Sequence, residues 1–315
     1  MAPSDPDALI IGAGCAGIAA ARALIAGGKT CAVLEAGPRV GGRAFTDRAT
    51  LGLPVDLGAT WLHLAEENPL TPFAEAFGLE RLDHDTVRQR LLHLGDRFAT
   101  DAELRAFEAA DDAFEDAILR AVAERAEDAS VADAMPRGGP WDATVAHWRG
   151  AQISAAEVER LSLRDYAASL LGGPNLRLRA GIGALVERLA EGLPIRRNAP
   201  VARLRWGGAG VEAAGAFGTL RARAAIVTVS TGVLAAGGIV FDPPLPARHR
   251  EAIQALPLGL LTKVVFRAAS ADRLDIPPFA GLRRRVDGPG DRPVSWIGWP
   301  FGEPVLECFI GGTRA

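Results

Sequence analysis

The chain is short of several residue types, and each scarcity narrows what it can be. Its three cysteines, Cys15, Cys31 and Cys308, are scattered. They have neither metal-site spacing nor a disulfide framework, the pattern of a reducing cytoplasm. Tyr166 is the one tyrosine, and aromatic residues make up only 6%. Of 35 basic residues just two are lysines, Lys29 and Lys263. The net charge of −3 offers no basic surface for nucleic acid or for an anionic membrane. No glycine-free apolar run is long enough to span a bilayer. The leading MAPSDPD lacks the basic start of a secretory signal. No internal repeat or low-complexity tract stands out. The remaining profile, 49% hydrophobic and 23% charged over 315 residues, is that of a globular cytoplasmic protein of one large or two ordinary domains.

What is present begins at Ala8: ALIIGAGCAGIAAARALIAGGKTCAVLEAGPRVGGR, ending at Arg43. Residues 8–11 predict a buried parallel strand, 18–26 a helix stopped by Gly27-Gly28, and 30–34 a second strand with Glu35 at its end. Between strand and helix, Gly12, Gly14 and Gly17 stand at GxGxxG spacing. Gly12 allows the tight turn, Gly14 lets backbone approach a pyrophosphate, and Gly17 lets helix and strand pack closely. Cys15 and Ala16 complete the loop at the helix N-terminus, where unpaired amides and the helix dipole favour phosphate. A helix start lowers a thiol's pKa, but the simpler reading of Cys15 is a small residue filling a tight turn. Glu35 is placed to accept from a ribose hydroxyl, and its charge disfavours the 2′-phosphate of NADP. Next come Ala36, Arg39, the Gly41-Gly42 pair and Arg43. They suit a loop lying on the cofactor, with Arg43 near phosphate oxygens. An ordinary turn bearing a solvated charge is the plainer alternative. The glycine pattern alone does not separate NAD from FAD.

The next segment does. LEAGPRVGGR at 34–43, followed by DLGATWLH at 56–63, resembles the flavin-dependent amine oxidase family, which includes monoamine oxidases, polyamine oxidases and flavin histone-lysine demethylases. GATWLHLAEENPLTPFAEAFGL at 58–79 is most similar to the polyamine oxidase branch. Three later stretches resemble the same family: 181–204, AAIVTVSTGVL at 224–234, and 239–266.

The resemblance implies FAD as cofactor and an α/β fold. A Rossmann-like FAD-binding domain would be interleaved with a mixed α+β substrate domain carrying a helical insertion. The expected boundaries are 1–66 and 174–260 for the first, 67–173 and 261–315 for the second. By the same resemblance, Glu35 and Arg43 bind the adenosine and diphosphate. Gly58, Ala59, Thr60 and Trp61 line the isoalloxazine, Val201 meets the adenine through its backbone, and Thr228 lies on a strand passing nearby. One departure is Gly37, where many members carry arginine; Arg39 lies close by.

Between 63 and 176 the alternation of strand and helix lapses. Leu104, Phe107, Phe114, Ile118 and Val122 predict an amphipathic helix over 102–127. Further helices are expected at 142–149 and 155–171, broken by Pro/Gly clusters at 136–140 and 172–174. Residues 101–128 hold ten acids against three arginines. Such a run is either a rim attracting a polycationic amine or the solvated face of a helix.

For the chemistry, Lys263 lies in the apolar run GLLTKVVF. A buried lysine is costly unless paired; a lysine at a strand end snorkelling to solvent is the alternative. The family match gives it the role of holding a water at flavin N5. His63 matches a histidine of polyamine oxidases near the active site and is a candidate for orienting substrate or accepting a proton. His84, His93, His147 and His249 have no partners in the sequence and read as surface or capping residues.

The implied reaction moves a hydride from the carbon next to an amine nitrogen to flavin N5. Imine and, through O2, H2O2 are the products. A desaturase or an L-amino-acid oxidase on the same scaffold is the alternative enzyme. After GEPVLECFIGGTRA the family pattern continues, returning to the FAD domain and adding aromatic side chains at the substrate. That comparison leaves three expectations: the chain is a fragment, the gene is truncated and yields a non-catalytic remnant, or a second chain completes the FAD domain.

Overall fold

The structure, a computed structural model, describes residues 5–170, 172–288 and 290–315. It forms two compact units. One comprises residues 5–60, Ala76–Leu79 and Ala180–Leu258; the other comprises Trp61–Glu75, Glu80–Arg179 and Gly259–Ala315.

In the first unit, the strand Ala8–Ile11 is apolar and buried along its whole length, as a central parallel strand must be. It lies between Ala224–Val227 and Cys31–Leu34, and Ile195–Arg196 pairs beyond the latter; every pairing is parallel. Ile11 is level with both Val227 and Leu34, so three strands end together. Open α/β sheets bind their ligands at such an edge. The helix Cys15–Ala26 forms the crossover, with Gly17, Ile18 and Ala21 turned inward. It starts three residues before the periodicity predicts, because the glycine loop itself enters the first turn. A second sheet, ordered Gly218–Ala222, Val211–Gly215, Arg203–Arg205 and Val240–Asp242, shares its core. Leu9, Ile11 and Leu34 pack there with Ala199, Val201, Leu204, Ala213 and Ile239. Each fully buried Leu or Ile contributes about 1.5–3 kcal/mol.

The DLGAT stretch is anchored by buried Asp56. Its Oδ1 accepts from the Thr46 hydroxyl at 2.5 Å, and its Oδ2 accepts from the Ile182 amide at 3.1 Å. Ile182 opens the helix Ile182–Ala190, so a carboxylate meets the positive end of a helix dipole.

The second unit is built on a six-stranded sheet in the order Leu261–Arg267, Val305–Gly311, Ser295–Gly298, Ala280–Arg284, Gln89–Leu94 and Arg97–Phe98. Its one parallel pairing joins Ala280–Arg284 to Gln89–Leu94. The helix Asp101–Glu124 opens with a capping box between Thr100 and Glu103. It turns Phe107, Phe114 and Ile118 into a core with Trp141, Val145, Leu163 and Tyr166. Its acids face outward, and several meet arginines of the same unit, as in Glu103–Arg97, Glu108–Arg90 and Asp111–Arg149.

The helix expected over 155–171 does not form as one piece. Ala155 has φ of +59°, and its carbonyl accepts from the Leu260 amide at 2.8 Å. That bond ends the preceding helical turn. A short turn at Val158–Arg160 and a helix at Leu163–Ala168, capped by Ser162, follow; Leu171 lies outside the described residues. Packing also separates Trp61 from Thr60, because Leu62 exchanges both backbone hydrogen bonds with Leu176, at 2.9 and 3.0 Å. Residues 61–66 therefore belong to the second unit. Among the described residues no helix is long and apolar enough to cross a membrane.

Candidate functional site

Two clusters contain the residues singled out in the sequence, one in each unit. In the first unit, Gly12 takes φ of +105°, a conformation open to glycine. A Cβ on Gly17 would overlap the Gly12 carbonyl, so only glycine lets the helix sit this close. Thr228 secures the turn from the neighbouring strand. Its hydroxyl lies 2.9 Å from the Ile11 carbonyl and 3.1 Å from that of Gly12.

The start of the helix is open. Gly14, its N-cap, has no side chain to offer, the first turn carries no acid, and Cys15 and Ala16 are exposed. A helix's first amides have no intrahelical acceptor, and here no N-cap side chain supplies one. Against this loop lies the second glycine pair. Gly14 and Gly41 form a parallel bridge, the Gly41 amide donates to Ala13 at 2.9 Å, and a Cβ on Gly42 would stand 3.4 Å from Gly14 Cα. The Arg43 carbonyl accepts from the Ala59 amide at 3.0 Å. A Cβ on Gly58 would overlap that same carbonyl, and the Thr60 hydroxyl donates back to Gly58 at 3.1 Å.

Glu35 closes the cradle. Its Oε2 accepts from the Ala13 amide at 2.8 Å and its Oε1 from the Gly37 amide at 2.8 Å. A carboxylate has about four acceptor directions, so each oxygen keeps capacity for a hydroxyl donor. Ala36 is exposed beside it. The Glu35 carbonyl accepts from Ala199 at 2.8 Å, which draws the segment leading to Val201 alongside.

The two arginines differ. Arg39 lies 4.3 Å over the Phe45 ring and donates to the Val40 carbonyl at 3.2 Å. Arg43 is exposed and, among the described residues, has no ion pair. Cys15 departs from the helix-end expectation. Although the residue is exposed, atoms packed round the thiol push its pKa up, against a weaker downward pull from Arg43.

In the second unit, Trp61 is the centre. Its indole N–H donates to His84 Nδ1 at 2.9 Å, and its ring stacks on His63 at 5.9 Å and meets Phe309 at 5.8 Å. His63 Nδ1 lies 2.5 Å from Asn175 Oδ1. The Asn175 amide group donates to Asp85 at 2.8 Å, which fixes Oδ1 as the acceptor and places the His63 proton on Nδ1. His63 Nε2 then carries a lone pair. Arg177 lies 5.5 Å over the Trp61 ring and donates to Glu307 at 2.7 Å; both charged residues are buried.

Lys263 sits on the edge strand of the sheet, directly opposite Phe309, with Nζ 5.1 Å from that ring's centroid. It is half-buried, and its apolar neighbours Leu261, Val264 and Phe266 are exposed, so the run is an edge rather than a core strand.

Two histidines depart from the sequence reading. His84 is 4% exposed and accepts from Trp61. His147 is half-buried, with Nε2 2.7 Å from the Pro293 carbonyl. Nothing local in the sequence marks His84, Asn175, Arg177 or Glu307, because each meets its partners across long stretches of chain. Among the described residues no group of His, Cys, Asp and Glu could hold a metal.

The profile of flavin containing amine oxidoreductases matches residues 15–143 and 141–314. Polyamine oxidase 4 of Oryza sativa subsp. japonica is 31% identical over 287 residues, covering 83% of this chain and 58% of the relative. Polyamine oxidase 3 of the same plant is 34% identical over 301 residues, covering 82% and 59%. The chain thus spans about 58% of the length of these curated relatives. A solved structure of a putrescine oxidase double mutant superposes with a TM-score of 0.77 at 20% identity, covering 98% of this chain and 76% of that one, and shows the fold. With the profile matched from the glycine loop to the last strand, this chain belongs to the flavin containing amine oxidoreductase family.

Proposed function

We propose that the chain carries the FAD-binding and catalytic residues of a polyamine- or monoamine-oxidising enzyme working in the cytoplasm. The observation that carries this reading is the cradle of the first unit. An uncapped helix start, two apposed glycine loops and an acceptor-only carboxylate fit the diphosphate and ribose of FAD. A Cβ on Gly14 or Gly42 would stand between the two loops, 4.0 or 3.4 Å from the other glycine's Cα. Gly12, Gly14, Cys15, Ala16, Gly17, Gly41 and Gly42 line the diphosphate in this reading, and exposed Arg43 supplies the counter-charge. Glu35 takes the ribose hydroxyls, Val201 flanks the adenine, and Thr228 holds the turn.

When bound, FAD supplies a two-electron acceptor for the hydride on the carbon next to the amine nitrogen, with O2 as final acceptor, imine and H2O2 being the products. The chain's own residues prepare that step. An amine donates only when neutral, and His63 Nε2, which carries the lone pair in this tautomer, takes the ammonium proton. Trp61 and Phe309 exclude water and present aromatic faces that attract a cationic substrate before it is deprotonated. Lys263, fixed beside Phe309, holds a water through its Nζ.

The test is purification followed by an absorption spectrum, then peroxide release with spermidine, benzylamine and L-amino acids. The expected result is a bound-flavin band and peroxide with an amine. Lys263→Met keeps the band and loses the peroxide. Absence of flavin after incubation with FAD overturns the reading, and peroxide from amino acids alone redirects it.

A further inference from the structure

Trp61 is held by groups to which the proposed reaction gives no task. An indole N–H is donor only, so the 2.9 Å contact requires a lone pair on His84 Nδ1 and puts the neutral imidazole's proton on Nε2. The ring is placed from its backbone as well: the His84 amide donates to the Asn175 carbonyl at 2.9 Å. It opens the turn His84–Val87, which Asp83 caps by accepting from the Asp85 amide at 2.9 Å. Phe279 packs on the same imidazole at 5.7 Å.

We propose that His84 is a positioning residue: as a neutral imidazole it accepts the Trp61 indole N–H and fixes the ring's orientation in the active site. The proposal rests on the reading that Trp61 lines that site. Orientation matters because the indole has several jobs at once. It stacks on His63 at 29° between planes and meets Phe309, the ring that faces Lys263. Rotating it would disturb His63, assigned to take the substrate proton, and Phe309, the ring against which Lys263 is set.

The surroundings keep His84 in the accepting form. Burial is the largest influence; Arg177 and Arg88 also disfavour a second positive charge, while Asp85 and Glu307 favour it. The balance lowers the pKa to about 4. A second proton would go on Nδ1, facing the Trp61 N–H, and would break that hydrogen bond, while among the described residues buried Nε2 meets no acceptor that could compensate.

The experiment follows the Trp61 indole N–H in 15N-labelled full chain, assigned by its loss in Trp61→Phe. At neutral pH its exchange with water is expected to be slow. His84→Leu should speed exchange about tenfold, the size of one lost hydrogen bond. His84→Asn, whose Oδ1 accepts from nearly the same position, should restore it. Exchange as fast as in an exposed indole, or unchanged in His84→Leu, overturns the proposal. Should His84→Leu fail to fold, the titration decides. The indole resonance should move as the pH falls toward 4 in the native chain but not in His84→Asn; a resonance that stays still overturns the proposal. Flavin content is read separately by absorbance, so failure of the amine-oxidase reading and failure of the His84 tether give different results.

Discussion

Arg177 and Glu307 meet at 2.7 Å in the interior of the second unit, their side chains 5% and 2% exposed. Removing two charges from water costs several kcal/mol per ion, which their attraction offsets only while both are present. The guanidinium also lies within 6 Å of the Trp61, Phe279 and Phe301 rings, so loss of its carboxylate leaves a cation facing aromatic carbon. Glu307→Gln is expected to lower stability by about 3–5 kcal/mol in urea unfolding. The double variant Arg177→Met, Glu307→Leu should recover most of that. By contrast Arg48→Ala, breaking a pair 46% and 41% exposed, should cost less than about 1 kcal/mol.

Stability should fall on mild acidification, and His84 sets the sign. Its folded pKa of about 4 lies below the ordinary 6.5 because burial and Arg177 oppose the cation. Between these values the unfolded chain binds the extra proton. The stabilisation is therefore full above 6.5 and is lost as the pH falls toward 4, amounting to roughly 3 kcal/mol. His147 is lowered as well, by burial, and acts in the same direction. Unfolding midpoints between pH 7 and 4 should show this slope, and His84→Asn should flatten it.

How much of this was legible in the sequence follows from how local each signal is. The dinucleotide unit is written within Ala8–Arg43, because each glycine answers to a backbone neighbour a few residues away or to the loop that follows. Glu35 was legible for the same reason: it sits at the end of a strand. Trp61 and His63 were nameable only through resemblance, and Lys263, singled out by its apolar run, took its role from the same source, since their meaning lies in contacts with residues such as Asn175 and Phe309. Tertiary burial overrode the surface reading of His84, whose polar type suggested solvent and whose position gave it an indole instead. Helix periodicity read correctly through Asp101–Glu124. It failed after Ala155, where a hydrogen bond from distant Leu260 ends the helix and no local residue signals it.

The glycine cradle separates fold from binding. A Cβ on Gly14 would find only Gly42 Cα, at 4.0 Å, whereas one on Gly17 would overlap the Gly12 carbonyl. Gly14→Ala is therefore expected to fold with an unfolding midpoint near the native one, yet to bind FAD more weakly, since its methyl group occupies the phosphate approach. Gly17→Ala should lose both stability and cofactor. Thermal unfolding without flavin, followed by FAD titration, distinguishes them; a destabilised Gly14→Ala would contradict the geometry.

Asn175 determines which nitrogen of His63 carries the proton. Its backbone and side-chain N–H groups both donate to Asp85 Oδ2, at 3.0 and 2.8 Å, leaving Oδ1 to accept from His63 Nδ1. Asn175→Leu keeps the side-chain volume and the backbone bond but removes the acceptor. His63 should then populate both neutral tautomers, where the native protein is expected to show only the Nδ1–H form. Long-range 1H–15N correlation spectra of the imidazole read this directly. The variant is expected to lose about 1–2 kcal/mol of stability from two unmade hydrogen bonds. If His63 accepts the substrate proton at Nε2, amine turnover should fall in kcat/KM while flavin content is unchanged. A native spectrum already showing mixed tautomers would remove Asn175 from that role.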